Sequence, residues 1–118
     1  EARLRSSLKM EAGGRIATVQ LTQQDFDQTG TTPAAAQDFA SLSRTIEGVE
    51  IGLFFYAIDK GARTKVGLRS GNTVDVGKLA ARMGGGGHKR ASGCMIEADI
   101  ATARRIMLRE AKKFLRTK

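Results

Sequence analysis

Apolar and polar positions alternate with a period of two over residues 15–21, where Ala17, Val19 and Leu21 interleave with Ile16, Thr18 and Gln20, and this pattern predicts a strand. Upstream, Leu4, Leu8 and Met10 recur at near-helical spacing, which predicts a short helix over 2–11 stopped by Gly13-Gly14. The polar stretch 22–32 reads as a loop. Pro33 suits the first turn of a helix that Ala36, Phe39, Ala40 and residues 42–46 continue to a turn at Gly48. The run from Val49 to Ile58 is apolar on both parities, through Ile51, Leu53, Phe54, Phe55 and Tyr56, as expected of a central strand covered on two faces. Beyond a turn at Lys60-Gly61, Val66 and Leu68 restore alternation over 64–69 and complete a hairpin, which Ser70, Gly71 and Asn72 end.

Asp75 can cap a helix over 76–83, because its carboxylate accepts from the unpaired N–H groups of a first turn. Gly84 to Gly87 break that helix, and residues 93–97 form another short apolar strand. Asp99 can cap a last helix in which Ile100, Ala103, Met107, Ala111 and Phe114 recur at three- and four-residue spacing, with basic residues on the opposite face. No repeat, low-complexity tract or linker interrupts the pattern. The fold class expected is α/β (α+β): a single domain with a mixed sheet of about four or five strands flanked by helices.

Composition narrows this further. With 118 residues, 41% of them hydrophobic and 27% charged, the chain has material for one core and is neither a membrane span nor a charged disordered tail. One cysteine forms no intrachain disulfide, and one cysteine with one histidine cannot build a zinc site of nitrogen and sulfur ligands, so a reducing, cytoplasmic setting is expected. The chain opens on Glu1 without a secretion signal, and it reads as a piece of a longer protein.

The net charge of +8 is unevenly placed: residues 1–59 carry −3, residues 60–90 carry +7, residues 91–98 carry −1 and residues 99–118 carry +5. Lys60, Arg63, Lys65, Arg69, Lys78, Arg82, Lys89 and Arg90 concentrate a field suited to a phosphate or nucleic-acid partner, against the plain alternative of a solvated basic surface. Arg104, Arg105, Arg109, Lys112, Lys113 and Arg116 on the last helix read as a solvated face, with tracking of a nucleic-acid backbone as the alternative. Phe54, Phe55 and Phe114 are expected in the core, which leaves few aromatics for base stacking, and Cys94 reads as a small buried hydrophobe. Asp25 and Asp27 read as loop carboxylates, since a metal site needs more converging ligands.

The stretch Met83-Gly84-Gly85-Gly86-Gly87-His88-Lys89-Arg90-Ala91-Ser92-Gly93 is the most informative. Four glycines in a row lose much backbone entropy on ordering, and they mark positions where φ must be positive or a ligand must approach the main chain. Successive N–H groups in such a loop form an anion-binding concavity, to which the only imidazole of the chain and two cations add donors. The alternative is that Gly84 merely ends a helix and the rest is a connector.

GGGGHKRASG resembles the GGGH-x-x-A-A-G signature of the DHH-associated domain (subfamily 1), the C-terminal part of many DHH phosphoesterases. The likeness extends to Ile46-Glu47-Gly48-Val49-Glu50 before a strand and to Lys65-Val66-Gly67-Leu68-Arg69-Ser70 followed by Val74-Asp75-Val76; it is close over 46–118 and looser over 1–45. It implies that 1–118 is a substrate-binding domain, with a helix–strand–helix part over 1–45 and a core carrying the motif over 46–118. An N-terminal DHH domain, absent from this sequence, would hold a pair of divalent metals, usually Mn2+.

The resemblance further implies hydrolysis of phosphoesters in short oligoribonucleotides or small nucleotides, with the oligoribonuclease and adenosine bisphosphate phosphatase branch nearest and exopolyphosphatase-related proteins among its members. Positions Gly84, Gly85, Gly86, Gly87 and His88 then meet substrate phosphate together with Arg69, while Lys89 and Arg90 tune the field. Neither a catalytic residue, a metal ligand nor a cofactor is expected within this chain, which alone should be inactive. Its partners would be a nucleotide or nucleic-acid substrate, the DHH domain and no membrane, with a homodimer left open. The alternative is a nonenzymatic RNA-binding module similar to the one that ends alanyl-tRNA synthetases. Ser92 stands where the signature has Ala, and its hydroxyl could add a hydrogen bond.

Overall fold

In a computed structural model, the described residues are 8–21, 46–71 and 73–117. Six strands, β1 (Lys9–Glu11), β2 (Ile16–Leu21), β3 (Ile51–Ile58), β4 (Arg63–Ser70), β5 (Gly86–Gly87) and β6 (Ala91–Ile96), form one sheet in the order β1-β2-β3-β4-β6-β5. Every neighbouring pair is antiparallel except β2 and β3, which run parallel. Parallel neighbours need a crossover of a dozen or more residues, which segment 22–50 is long enough to supply. The loop over 22–32 and the helix over 33–46 expected from the sequence lie outside the described residues, except for Ile46, which stands in a bend.

The mixed sheet in a single domain bears out the expected class, with a slightly higher strand count. Two short strands account for the difference. β5 consists of two glycines, which carry no alternation to read. β1 corrects the expectation of a helix over 2–11: its described part is an edge strand paired to β2 through Met10 and Ala17. The chain reverses at Ala12–Gly14, with φ of +54° at Ala12 and +66° at Gly13, and Met10 is 42% exposed; residues 2–7 of the expected helix lie outside the described residues.

β3 is the central strand that its two-sided hydrophobicity predicts. Leu53 and Phe55 face the main core with Val66, Leu68, Cys94 and Ile96, beneath α1 (Val76–Arg82) and α2 (Ile100–Thr117). On the other face Ala17, Val19 and Phe54 are also buried. Burying each of the large side chains completely contributes about 1.5–3 kcal/mol.

Both helix caps read from the sequence are present. Asp75 Oδ1 accepts from the Lys78 amide at 3.1 Å, and Asp99 Oδ1 accepts from the Thr102 amide at 2.9 Å. The guanidinium of Arg82 lies 4.9 Å over the ring of Phe114 and ties the two helices, so this half-buried ring is at the core margin.

Candidate functional site

The end of α1 is set by its glycines. Gly84 N–H donates to Ala81 and Gly85 N–H to Ala80, with Gly84 at φ +84°, the double bond that closes a helix on a left-handed residue. Gly85 then passes hard against β6. Gly86 and Gly87 pair with Gly93 and Ser92, and His88 N–H donates to the Ala91 carbonyl at 2.8 Å, which makes Lys89-Arg90 the tip of a tight hairpin.

The hairpin tip is clamped from beneath. The Lys89 carbonyl accepts from Val76 N–H at 2.9 Å and the Arg90 carbonyl from Ser70 N–H at 3.1 Å. The Arg90 guanidinium donates to the Val74 carbonyl at 2.8 Å and to the Ser70 hydroxyl at 3.2 Å. A bond that the signature would lack comes from Ser92, whose hydroxyl donates to the Val76 carbonyl at 2.7 Å and joins β6 to the first turn of α1. The tetraglycine segment is therefore a shaped part of the sheet edge rather than a loose connector.

Register aligns Arg69 with Ala91, and His88 reaches the same Ala91 from the other side. Arg69 and His88 thus flank one strand, about two strand spacings or 10 Å apart along the sheet. Next to that row, Gly67 pairs with Gly93 and Gly93 with Gly86, so three positions without side chains lie in line across β4, β6 and β5. The Arg69 Nη1 atom stands 3.8 Å from where a Gly67 Cβ would be and donates to the Leu68 carbonyl at 2.9 Å and to the Ser92 carbonyl at 3.5 Å. This face opens as a groove of about 170 Å3 lined by Phe54, Tyr56, Lys65, Gly67, Arg69 and Gly93, among others.

The structure brings Arg69, Gly86, Gly87 and His88 around β6. It assigns Gly84 and Gly85 to ending the helix and turning under the sheet, and it commits the Arg90 side chain to holding segment 70–74. Lys89 is exposed at the hairpin tip. Tyr56, Lys65, Gly67 and Gly93 were not singled out as site residues by the sequence alone. Their signal was parity: in the β3–β4 hairpin, Tyr56, Lys65, Gly67 and Arg69 share one face once the register is known. Phe54 lies beside Tyr56, with ring centroids 5.3 Å apart, and is buried as expected, on the groove side of the sheet.

Among the described residues, no three His, Cys, Asp or Glu side chains come together to hold a metal ion, and no helix is long and apolar enough to cross a membrane.

The family model described as the DHHA1 domain matches residues 13–117. No protein of curated function matches the chain. Among solved structures, an exopolyphosphatase-related protein from Bacteroides fragilis superposes with a TM-score of 0.85 at 22% identity, covering 96% of this chain and 33% of that one. A pGpG-specific phosphodiesterase, PggH, from Vibrio cholerae superposes with a TM-score of 0.59 at 15% identity, covering 94% of this chain and 37% of that one. The chain therefore spans about a third of the length of either protein, and at these identities the likeness is one of fold.

Proposed function

Because the chain belongs to the DHHA1 domain family, we propose that it is the substrate-binding part of a phosphoesterase and grips the phosphate of a short oligonucleotide or small nucleotide between Arg69 and the Gly86-Gly87-His88 edge. The observation that carries this reading is the line Gly67–Gly93–Gly86 with the Arg69 guanidinium beside it. A floor without side chains lets an anion approach the main chain, and a planar guanidinium presents paired donors to its oxygens. β5 is the edge strand, so the side of its backbone turned away from β6 can add donors, and the exposed His88 and Lys89 supply further polar groups at the rim.

In this reading the chemistry of water activation belongs to an N-terminal DHH domain carrying divalent metals such as Mn2+. The described residues of this chain do not fit such a centre, since they gather no ligand cluster. What the chain contributes is orientation of the phosphoester and stabilisation of its negative charge. The solved relatives support the same class, one being exopolyphosphatase-related and the other specific for pGpG.

Calorimetric titration with a 5′-phosphorylated diribonucleotide tests the reading. Arg69→Gln and His88→Gln should each weaken binding by at least about tenfold, the scale of one lost charge-assisted contact. Unchanged affinity in both variants overturns it.

A further inference from the structure

A second basic feature lies away from the glycine edge. Along the outer side of α2 runs a groove of about 490 Å3 lined by Ala101, Arg104, Arg105, Leu108, Arg109, Lys112 and Arg116. Its floor is apolar, formed by Ala101 and the buried Leu108, and its walls are cationic. Arg104 is turned inward: its Nη2 pairs with Glu11 Oε2 at 2.8 Å and reaches the Thr18 hydroxyl at 3.3 Å, bridging α2 to β1 and β2. Lys113 pairs with Glu110 and does not line the groove. Arg105, Arg109, Lys112 and Arg116 form no ion pair among the described residues; Lys112 and Arg105 feel the carboxylates of Glu11 and Asp99 only at longer range, so the groove keeps a file of positive charge.

We propose that this groove is a docking track for the sugar–phosphate backbone of a nucleic-acid strand, separate from the glycine site. The cations at 105, 109, 112 and 116 follow each other at three or four residues, hence about 4.5–6 Å along the helix axis, the order of the phosphate repeat in an extended strand. An apolar floor between cationic walls suits sugars below and phosphates beside them. Arg104, one of the groove's residues, reaches Glu11 on β1 and Thr18 on β2, so the groove borders the β1–β2 side of the sheet, while the glycine site is built on β4, β6 and β5. The groove is on the α2 side of the sheet, whereas Gly67, Arg69 and Gly93 share the other face with Phe54, so a dinucleotide held at the glycine site cannot reach it. The track thus favours longer substrates over dinucleotides at the same domain, and it exists whether or not the glycine site binds phosphate.

Fluorescence anisotropy with a labelled 12-nucleotide single-stranded RNA tests this against a labelled dinucleotide. The triple variant Arg105→Glu, Arg109→Glu, Arg116→Glu should lose at least about tenfold in 12-mer affinity, and the slope of log K against log salt should flatten by about two, for three phosphate contacts of roughly 0.7 each. Replacing the same three residues by Lys should retain the affinity within about threefold, since backbone contacts require charge rather than a fork. Arg109→Glu alone, which changes one exposed side chain, gives the same direction should the triple variant unfold.

An unchanged 12-mer affinity or salt slope overturns the proposal. A dinucleotide affinity that falls by the same factor overturns it as well, because the two surfaces would then be one site. Tighter binding of inorganic polyphosphate than of RNA at equal charge reassigns the groove and also overturns it. A native protein that binds the 12-mer but no dinucleotide rejects the glycine-site reading while leaving this one standing.

Discussion

A Cβ placed on Gly85 would fall 2.1 Å from the Gly93 carbonyl oxygen and 2.8 Å from the Cα of Cys94, so the backbone of the glycine segment lies directly on β6. The neighbouring Gly86 has nothing within 4 Å of the same position. Two adjacent glycines therefore do different work, one in packing and one in leaving a surface bare. Gly85→Ala should destabilise the fold by about 2–3 kcal/mol, since the opposing atoms are backbone and cannot rotate away. Gly86→Ala should stay within about 0.5 kcal/mol of the native protein, as for other exposed substitutions. Urea unfolding of both variants checks this, and equal midpoints would contradict it.

Ser92 occupies a buried position and spends its hydroxyl on the Val76 carbonyl. Ser92→Ala leaves the backbone geometry intact and removes one neutral hydrogen bond between β6 and α1. The expected loss is about 1 kcal/mol. A chemical-denaturation midpoint indistinguishable from that of the native protein would show that the hydroxyl contributes nothing to holding the helix on the sheet.

Where local chemistry decides a structure, the amino-acid pattern was enough to read it. Asp75 and Asp99 each cap a helix because a carboxylate three residues before an unpaired amide has few other uses, and β3 declared its central place through apolar residues on both parities. Gly84 was legible as a helix end for the same local reason. What could not be read depends on register and edges. β5 has no side chains, so its pairing with Gly93 and Ser92 is decided by the hairpin tip and by the amides of Ser70 and Val76 beneath it. The Gly67–Gly93–Gly86 line joins residues 26 and 7 positions apart, and only strand pairing brings them together. Met10 misled because a three-residue edge strand carries too few positions to separate period two from period 3.6. By sequence Arg90 has a part in tuning the field beside the glycine run; that its guanidinium also donates to Val74 and Ser70 is a role no spacing announces.

Cys94 is buried, its sulfur 4.0 Å from that of Met107, and burial pushes its thiol up to about 11. At pH 8 only about one thiol in a thousand is then ionised, against roughly a quarter for an unperturbed thiol. Reaction with a disulfide reagent in the folded protein should be at least about a hundredfold slower than in urea, and it should track opening of β6 rather than thiol chemistry. A folded-state rate close to the denatured one would sink this account of the residue as a packed core group.

The carboxyl of Glu11 is held below its ordinary value, first by the hydrogen bond from Arg104, against the opposing effect of burial, with the charges of Arg104, Lys112 and Lys9 adding to it. A carboxylate with a depressed folded value stabilises the fold above the unfolded value, near 4.5, and that contribution disappears as pH falls through the lower folded one. The pair joins β1 to α2, with side chains 28% and 20% exposed, so it is only partly screened by solvent. Glu11→Gln should melt about 2–5 °C below the native protein at pH 7. On acidification below pH 4.5 the two melting curves should draw together, because the native carboxyl loses its charge as the pH falls through its lowered folded value and then no longer differs from the amide in charge. A gap that persists undiminished at pH 3 would mean that Glu11 acts through packing alone, and the bond to Arg104 would then not be what seats the edge strand.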